Sequence, residues 1–309
     1  MSPTPPAPVL ITFPPNMTRA GIVTVAGKPN AGKSTLLNQL VGQKLAITSP
    51  KPQSTRDRVV GIRTADGVQM VILDTPGLLE PEYELHHLMK ATALAALRDA
   101  DVIVYLADAT VGPPASLDVA AGLTTPPRAQ VITVLNKGDM ISPAVRADLL
   151  EQRPGALVVS ALTGEGVDAL VARLGAALPE HPYLYNEEDI STQQTRFFAA
   201  ELVRESALEQ LDQEVPYSVA CVIEEFRETT DPVYIRAVLH VERDSQKGIL
   251  LGHKGERIRE IGRASRLKIE ALIEQRVFLD LWVKVLPNWR KDPKALARLG
   301  YRPPENAAR

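Results

Sequence analysis

Gly27-Lys28-Pro29-Asn30-Ala31-Gly32-Lys33-Ser34 is the stretch on which the fold turns. It follows directly on the apolar run IVTVA (22–26) and leads, from Thr35, into TLLNQLV, whose apolar spacing is helical. A GxxxxGKS string between a strand and a helix forms a phosphate cradle. The glycines let backbone N–H groups wrap a β-phosphate, and the helix N-terminus adds positive potential. Lys33 neutralises β/γ oxygens, while the Ser34 hydroxyl is a ligand for Mg²⁺. A chance glycine-rich turn would not sit in this strand-loop-helix setting.

Working outward, short apolar runs recur between helical stretches: VVGI (59–62), VQMVIL (68–73), VIVYLA (102–107), VITVL (131–135) and ALVV (156–159). Runs this apolar suit strands covered on both faces, and segments such as HLMKATALAALRDA (87–100) read as the covering helices. Alternating β and α predicts an α/β domain with a doubly wound, mostly parallel sheet over residues 21–178. Residues 1–20 hold six prolines and no apolar period, which predicts a disordered lead-in with order beginning near Gly21. Prolines, acids and aromatics over 179–191 predict a linker. Beyond it, residues 192–309 change rhythm. A helix carries Phe198, Leu202, Leu208 and Leu211 on one stripe and is closed by Pro216. Strands alternate through Tyr217–Ile223, Val233–Val241 and Val277–Val285, and the segment between the last two is helical except at Gly252 and Gly255. The order is α, β, β, α, α, β.

With 309 residues, 45% hydrophobic and 23% charged, the chain has the length and mix of two globular domains, not of a disordered or disulfide-rich protein. Its single cysteine, Cys221, excludes an intramolecular disulfide and fits a reducing compartment as a small buried apolar residue. No apolar run reaches the ~18 residues that span a bilayer, so a cytoplasmic location is expected, with peripheral contact to the inner membrane left open. The net charge of −2 divides unevenly, into −1 over residues 1–180, −8 over 181–239 and +7 over 240–309. A locally basic C-terminal third predicts either a patch facing an anion or a solvated charged face.

Asn136-Lys137-Gly138-Asp139 closes the strand VITVL. The Asp139 carboxylate can accept from guanine's N1–H and exocyclic amine, whereas adenine would leave it unpaired, and that mismatch makes the site guanine-selective. Lys137 is placed against the base ring and Asn136 between loops. Asp74-Thr75-Pro76-Gly77 closes another strand, with Asp74 set to hold Mg²⁺ and the Gly77 N–H to sense the γ-phosphate. Ser160-Ala161-Leu162 would bring a backbone N–H to guanine's carbonyl, and Thr55, in the core-poor stretch SPKPQSTRDRV, would complete the Mg²⁺ shell when GTP is bound. Leu78 stands after DTPG where a water-orienting glutamine would serve hydrolysis, so unaided turnover should be slow and should rest on positioning, Mg²⁺ and Lys33. His86 and His87 lack metal-ligand partners at useful spacing and read as exposed helix residues.

In the C-terminal part, Gly252-His253-Lys254-Gly255 joins two helical segments. The glycines would let a nucleic-acid backbone approach, Lys254 would meet phosphate, and Ile258 and Ile261 would line an apolar groove for single-stranded bases. Lys247, Arg257 and Arg263 add positive charge, as do Arg259, Arg266 and Lys268. A helical hairpin with a charged face is the alternative. Trp289 would either stack on a base or cap the core.

GKPNAGKS, Thr55, DTPG, NKGD and SAL, in that order over residues 27–162, resemble the translation-factor-like P-loop GTPases. The GHKG segment within α-β-β-α-α-β resembles a type II KH domain, and the tail NWRKDPKALARLGY fits the same pattern. From about residue 20 to 301 the chain is similar to the Era family of bacterial ribosome-assembly GTPases. The resemblance implies a doubly wound GTPase domain followed by an α+β type II KH domain, with the loops holding Thr55 and Leu78 as nucleotide-responsive switches. It implies Mg²⁺-dependent hydrolysis of GTP to GDP coupled to maturation of the small ribosomal subunit, and binding to single-stranded rRNA, the 3′ region of the small-subunit rRNA, rather than to DNA. A monomer is expected. In some relatives the residue at Asn30 is a ligand for a monovalent cation, and here a solvent-facing amide is the equal alternative. A protein-docking role for the second domain is the rival reading of the C-terminal third.

Overall fold

A computed structural model describes residues 18–304. The chain divides into two compact units whose boundaries interleave. The first takes in the described residues up to Lys44, then Arg58–Leu78 and Ala93–Thr192, and the second takes in Leu45–Asp57, Leu79–Thr92 and the described residues from Gln193 on. Among the described residues no helix is long and apolar enough to cross a membrane.

The first unit holds a six-stranded sheet in the order β2-β3-β1-β4-β5-β6, built from β1 (Arg19–Ala26), β2 (Val59–Ala65), β3 (Val68–Asp74), β4 (Val102–Asp108), β5 (Gln130–Asn136) and β6 (Leu157–Val158). All neighbours are parallel except β2 and β3. The apolar runs are therefore strands, buried as a two-sided sheet demands; β3 is buried at all seven positions. In chain order the helices are α1 (Lys33–Val41), α2 (Glu84–Asp99), α3 (Leu117–Ala121), α4 (Pro143–Gln152) and α5 (Val167–Ala177), and α2 has its first half in the second unit.

Two expectations need correction here. Residues 1–17 of the expected lead-in lie outside the described residues, but order begins before Gly21, because Arg19 pairs with Val68 and donates through Nη1 to the Leu178 carbonyl at 2.6 Å. Residues 179–191 belong to the first unit rather than forming a separate linker: His181 donates to Thr18, Gln69 accepts from the Leu184 and Tyr185 N–H groups, and Ile62 donates to Ile190 on the open edge of β2. Gln69 is fully buried, and its amide also donates to Tyr185 O, so a polar group inside the sheet supplies this segment with partners.

The second unit contains α6 (Thr195–Gln210), α7 (Val215–Ser218), β7 (Ala220–Arg227), β8 (Val233–Val241), α8 (Asp244–Leu251), α9 (Glu256–Ile273), β9 (Val277–Val285) and α10 (Pro293–Arg298). The sheet order is β7-β8-β9, with β7 antiparallel and β9 parallel to β8. Val233, Ile235, Ala237, Leu239 and Val241 form the inward row of β8 and join Leu202, Val203, Leu250, Ile261 and Ile269 in one core. Tyr217 falls in α7, so the expected strand starts three residues later, at Ala220; Pro216 at the first turn sets the helical φ there.

Candidate functional site

At the first site, β1 delivers the chain to the GKPNAGKS loop and α1 carries it away. Gly32 has φ +94°, and a Cβ there would sit 2.2 Å from Asn136 Nδ2, so only glycine fits. Lys33 is buried, its Nζ donating to the Lys28 carbonyl at 3.0 Å. Burial holds the Lys33 ammonium below its ordinary value against the pull of Asp74, a state that a phosphate anion would relieve. Ser34 Oγ donates to Asp74 Oδ2 at 2.6 Å, which brings two hard oxygen donors together as Mg²⁺ requires. Thr35 begins the exit turn of the cradle, Pro29 and Ala31 lie in its wall, and Lys28 and Asn30 are exposed, Asn30 with φ +61°.

After β3, Thr75 is buried and donates to Val25 O, so it braces the strand end, and Pro76 and Gly77 are buried beside it. Leu78, expected beside the nucleotide, is buried. Its N–H donates to the Gly27 carbonyl, and its side chain packs with Ala26, Leu97, Ile103 and Tyr105, which makes it a core residue.

The GKPNAGKS, NKGD and SAL loops converge through Asn136, which is buried and donates to Ala31 O while accepting from the Ala161 N–H, both at 2.8 Å. One side chain thus ties the phosphate loop to the SAL segment. The Ala161 N–H, within the segment expected to reach guanine's carbonyl, is engaged by Asn136 here. Lys137 adopts φ +65° and its Nζ meets Asp108 Oδ2 at 2.5 Å. Burial opposes charge on Asp108, but hydrogen bonds from Lys137 and Thr110 outweigh it and hold the carboxyl below its usual range. Asp108 gives no signal in the sequence, since it is the last residue of an apolar strand. Gly138 is buried, Asp139 is exposed at the loop tip, Ser160 is buried and Leu162 is exposed.

Thr55 is buried within the second unit, in a segment fastened to α6 and α7. The adjoining Arg56 is 5% exposed and donates to the carbonyls of Val219 at 2.6 Å and Tyr217 at 2.9 Å, with Trp289 beneath it at 5.5 Å. Lys51 Nζ reaches the Leu208 and Leu211 carbonyls, Thr48 N–H donates to Glu205, and Arg204 donates to Ser54 O. The first half of α2 is fastened in the same unit: Leu85 and Met89 pack with Trp289 and Leu296. His86, expected on the surface, is buried; Nδ1 accepts from the Glu82 N–H and Nε2 pairs with Gln53 at 3.0 Å. His87 is exposed, and no cluster of metal-ligating side chains occurs among the described residues. Trp289 is fully buried, donating to Ser218 O and stacked on Tyr301, so it caps the core. The anchors of residues 48–56 could not be read from the sequence, because each depends on a partner 150 or more residues away.

The GHKG loop joins α8 to α9. Gly252 has φ +70° with a hypothetical Cβ 2.8 Å from that of Arg257, and Lys254 has φ +49°. His253 and Lys254 are exposed, Lys247, Gly255 and Ile258 are partly exposed, and Arg263 is exposed on α9. Arg257 donates to Ile249 O and Lys268 is held by Glu205 and Glu209. A groove of about 430 Å³ runs between α9, at Ile258, Arg259 and Arg263, and β9, at Phe278, Leu279 and Leu281. Ile261 is not in it: it is fully buried in the core, because the helical period puts it with Ser265 and Ile269 on the inner face. The β9 wall was not legible in the sequence, since alternation gives a strand's faces and not its place at a sheet edge.

Residues 22–137 match the family described as 50S ribosome-binding GTPase, and residues 214–290 match the KH domain. The GTPase Era of Pseudomonas fluorescens (strain Pf0-1) is 42% identical over 299 residues, covering 93% of this chain and 98% of its own. That of Geobacter metallireducens is 40% identical over 298 residues, covering 93% and 99%. Among solved structures, a variant of Aquifex aeolicus Era bound to GDP and AlF4⁻ superposes with a TM-score of 0.85 at 38% identity, covering 92% of this chain and 99% of that one. Era in complex with MgGDPNP and nucleotides 1506–1542 of 16S ribosomal RNA matches with the same TM-score, identity and coverage. With both sites in place and relatives similar over nearly their whole length, the chain belongs to the Era family of GTPases.

Proposed function

We propose that this protein is a GTP-driven switch that binds single-stranded RNA at the 3′ end of small-subunit rRNA and assists assembly of the small ribosomal subunit in the cytoplasm. The observation that carries the reading is the membership of the second unit: the Thr55 segment and the start of α2 fold with the GHKG loop. Lys33 would neutralise β/γ oxygens, and Ser34, Asp74 and Thr55 would hold Mg²⁺, which when bound supplies charge neutralisation at the phosphates. Asp139 would read guanine and Lys137 would lie on its ring.

Hydrolysis would be slow without a partner, because Leu78 lies in the core and offers no group to orient water. We further assign Asn30 as a ligand for a monovalent cation, tested by comparing turnover in potassium and sodium; equal rates would remove the assignment. The groove beside GHKG would take bases, while Lys254 and Arg263 meet phosphates. RNA crosslinking in cells with sequencing of the bound fragment tests the whole: recovery of the small-subunit rRNA 3′ end is expected, and recovery of no RNA would favour a protein-docking second domain.

A further inference from the structure

The pleat of β9 sends Val277, Leu279, Leu281 and Val283 toward the helices and Phe278, Asp280, Trp282 and Lys284 to the opposite face of the sheet. On that outer face Phe278 is 57% and Trp282 54% exposed, an unusual degree for large aromatics. Neither is loose. Phe278 stacks on Tyr234 with centroids 5.9 Å apart and planes at 13°, and the guanidinium groups of Arg227 and Arg236 lie 5.0 and 5.8 Å from the Tyr234 ring. Asp280 accepts from Tyr234 Oη at 3.0 Å, Arg236 Nε at 2.9 Å and Trp282 Nε1 at 2.7 Å, so one carboxylate fixes the phenol, the guanidinium and the indole together. Rings held this way lose little conformational freedom when something stacks on them.

We propose that Phe278 and Trp282 form a stacking platform that carries single-stranded RNA out of the groove and onto the outer face of the sheet. The inference rests on the RNA-binding reading above and extends it. Continuity argues for RNA as the occupant. β9 is an edge strand, and Phe278 borders both the groove and the outer face, so a strand of RNA has only one sheet edge to round. Trp282 follows four residues on, about 13 Å along the strand, on the same side. Arg227 and Lys284, each more than half exposed while held by Glu225 and Glu224, stand on the same face for the phosphates. Stacking on aromatic rings is tolerant of base identity, so the platform would add affinity and length dependence without adding sequence preference.

The test uses the full chain and two oligonucleotides from the small-subunit rRNA 3′ end, one of about four nucleotides, which the GHKG groove can hold, and one of about ten. The wild-type protein should gain affinity on lengthening. Trp282→Ala should remove about tenfold of that gain, the loss of roughly one stacked base, while binding of the short fragment and of GTP stays unchanged; Phe278→Ala, which also alters the groove wall, should weaken the long fragment about tenfold more than the short one, and Phe278→Tyr should restore the gain. Gly252→Asp with Gly255→Asp should abolish binding of both lengths. A full gain retained in both alanine variants would overturn the platform and leave the face to a protein partner. Equal weakening of both lengths would overturn it too, by placing Phe278 in the groove alone. Wild-type protein that binds neither length would instead overturn the RNA reading itself.

Discussion

On the proposed reading, the single carboxylate of Asp139 would set the choice of base. Asp139→Asn should turn preference from GTP toward XTP, because the amide donates where the carboxylate accepted; competition binding that still favours GTP would show that another group reads the base. Lys33→Ala should sharply weaken GTP binding or turnover while melting stays near wild type, since the lysine's partners are a loop carbonyl and an anion rather than core groups. His86 behaves differently. Burial, with Arg290 and Arg56 nearby, holds its pKa below the ordinary 6.5, despite the opposing pull of Glu82. A depressed folded value means that its contribution is present above 6.5 and is lost as pH falls from there toward the folded value, so stability should decline over that window. His86→Gln, which keeps a side chain able to pair with Gln53, should flatten the decline; an unchanged pH profile in thermal unfolding would remove His86 as its source. The motifs that hold Lys33 and Asp139 were legible because each is contiguous. His86 was not, because its partner Gln53 comes from a loop that its own spacing does not announce.

Among the elements, strands and helices followed apolar period closely, and β8 and β9 lie where alternation put them. What escaped was long-range: the sheet edge that makes β9 a groove wall, and the anchoring of residues 45–57 to α6 and α7. That anchoring predicts a cost for Arg56→Ala of roughly 1.5–3 kcal/mol in unfolding free energy, from charged hydrogen bonds lost to buried carbonyls. A loss under half a kcal/mol would show the guanidinium to be replaceable. The GHKG element carries its own prediction. If it engages about four phosphates, the logarithm of RNA affinity should fall against log salt with a slope of about −3, and the double Gly→Asp variant should lose RNA while keeping GTP. A flat salt dependence would point to a protein ligand.

In the whole molecule, Gly77 belongs to the first unit, while Thr55 belongs to the second, the unit that also holds the GHKG loop. The sequence suggested two domains in series with a linker between them; the structure instead gives the second unit two excursions from within the first domain, through residues 45–57 and 79–92. On the proposed reading, in which Thr55 responds to the γ-phosphate, losing that group should alter a segment of the unit that holds the GHKG loop, and reciprocity requires RNA to alter the GTP/GDP preference by the same factor. The most direct test titrates one rRNA 3′-end oligonucleotide against protein loaded with GDP or with a non-hydrolysable GTP analogue. The account predicts affinities that differ by about 5-fold or more, a coupling of roughly 1–3 kcal/mol, with the difference reduced in Thr55→Ala. Indistinguishable affinities in the two nucleotide states would contradict it.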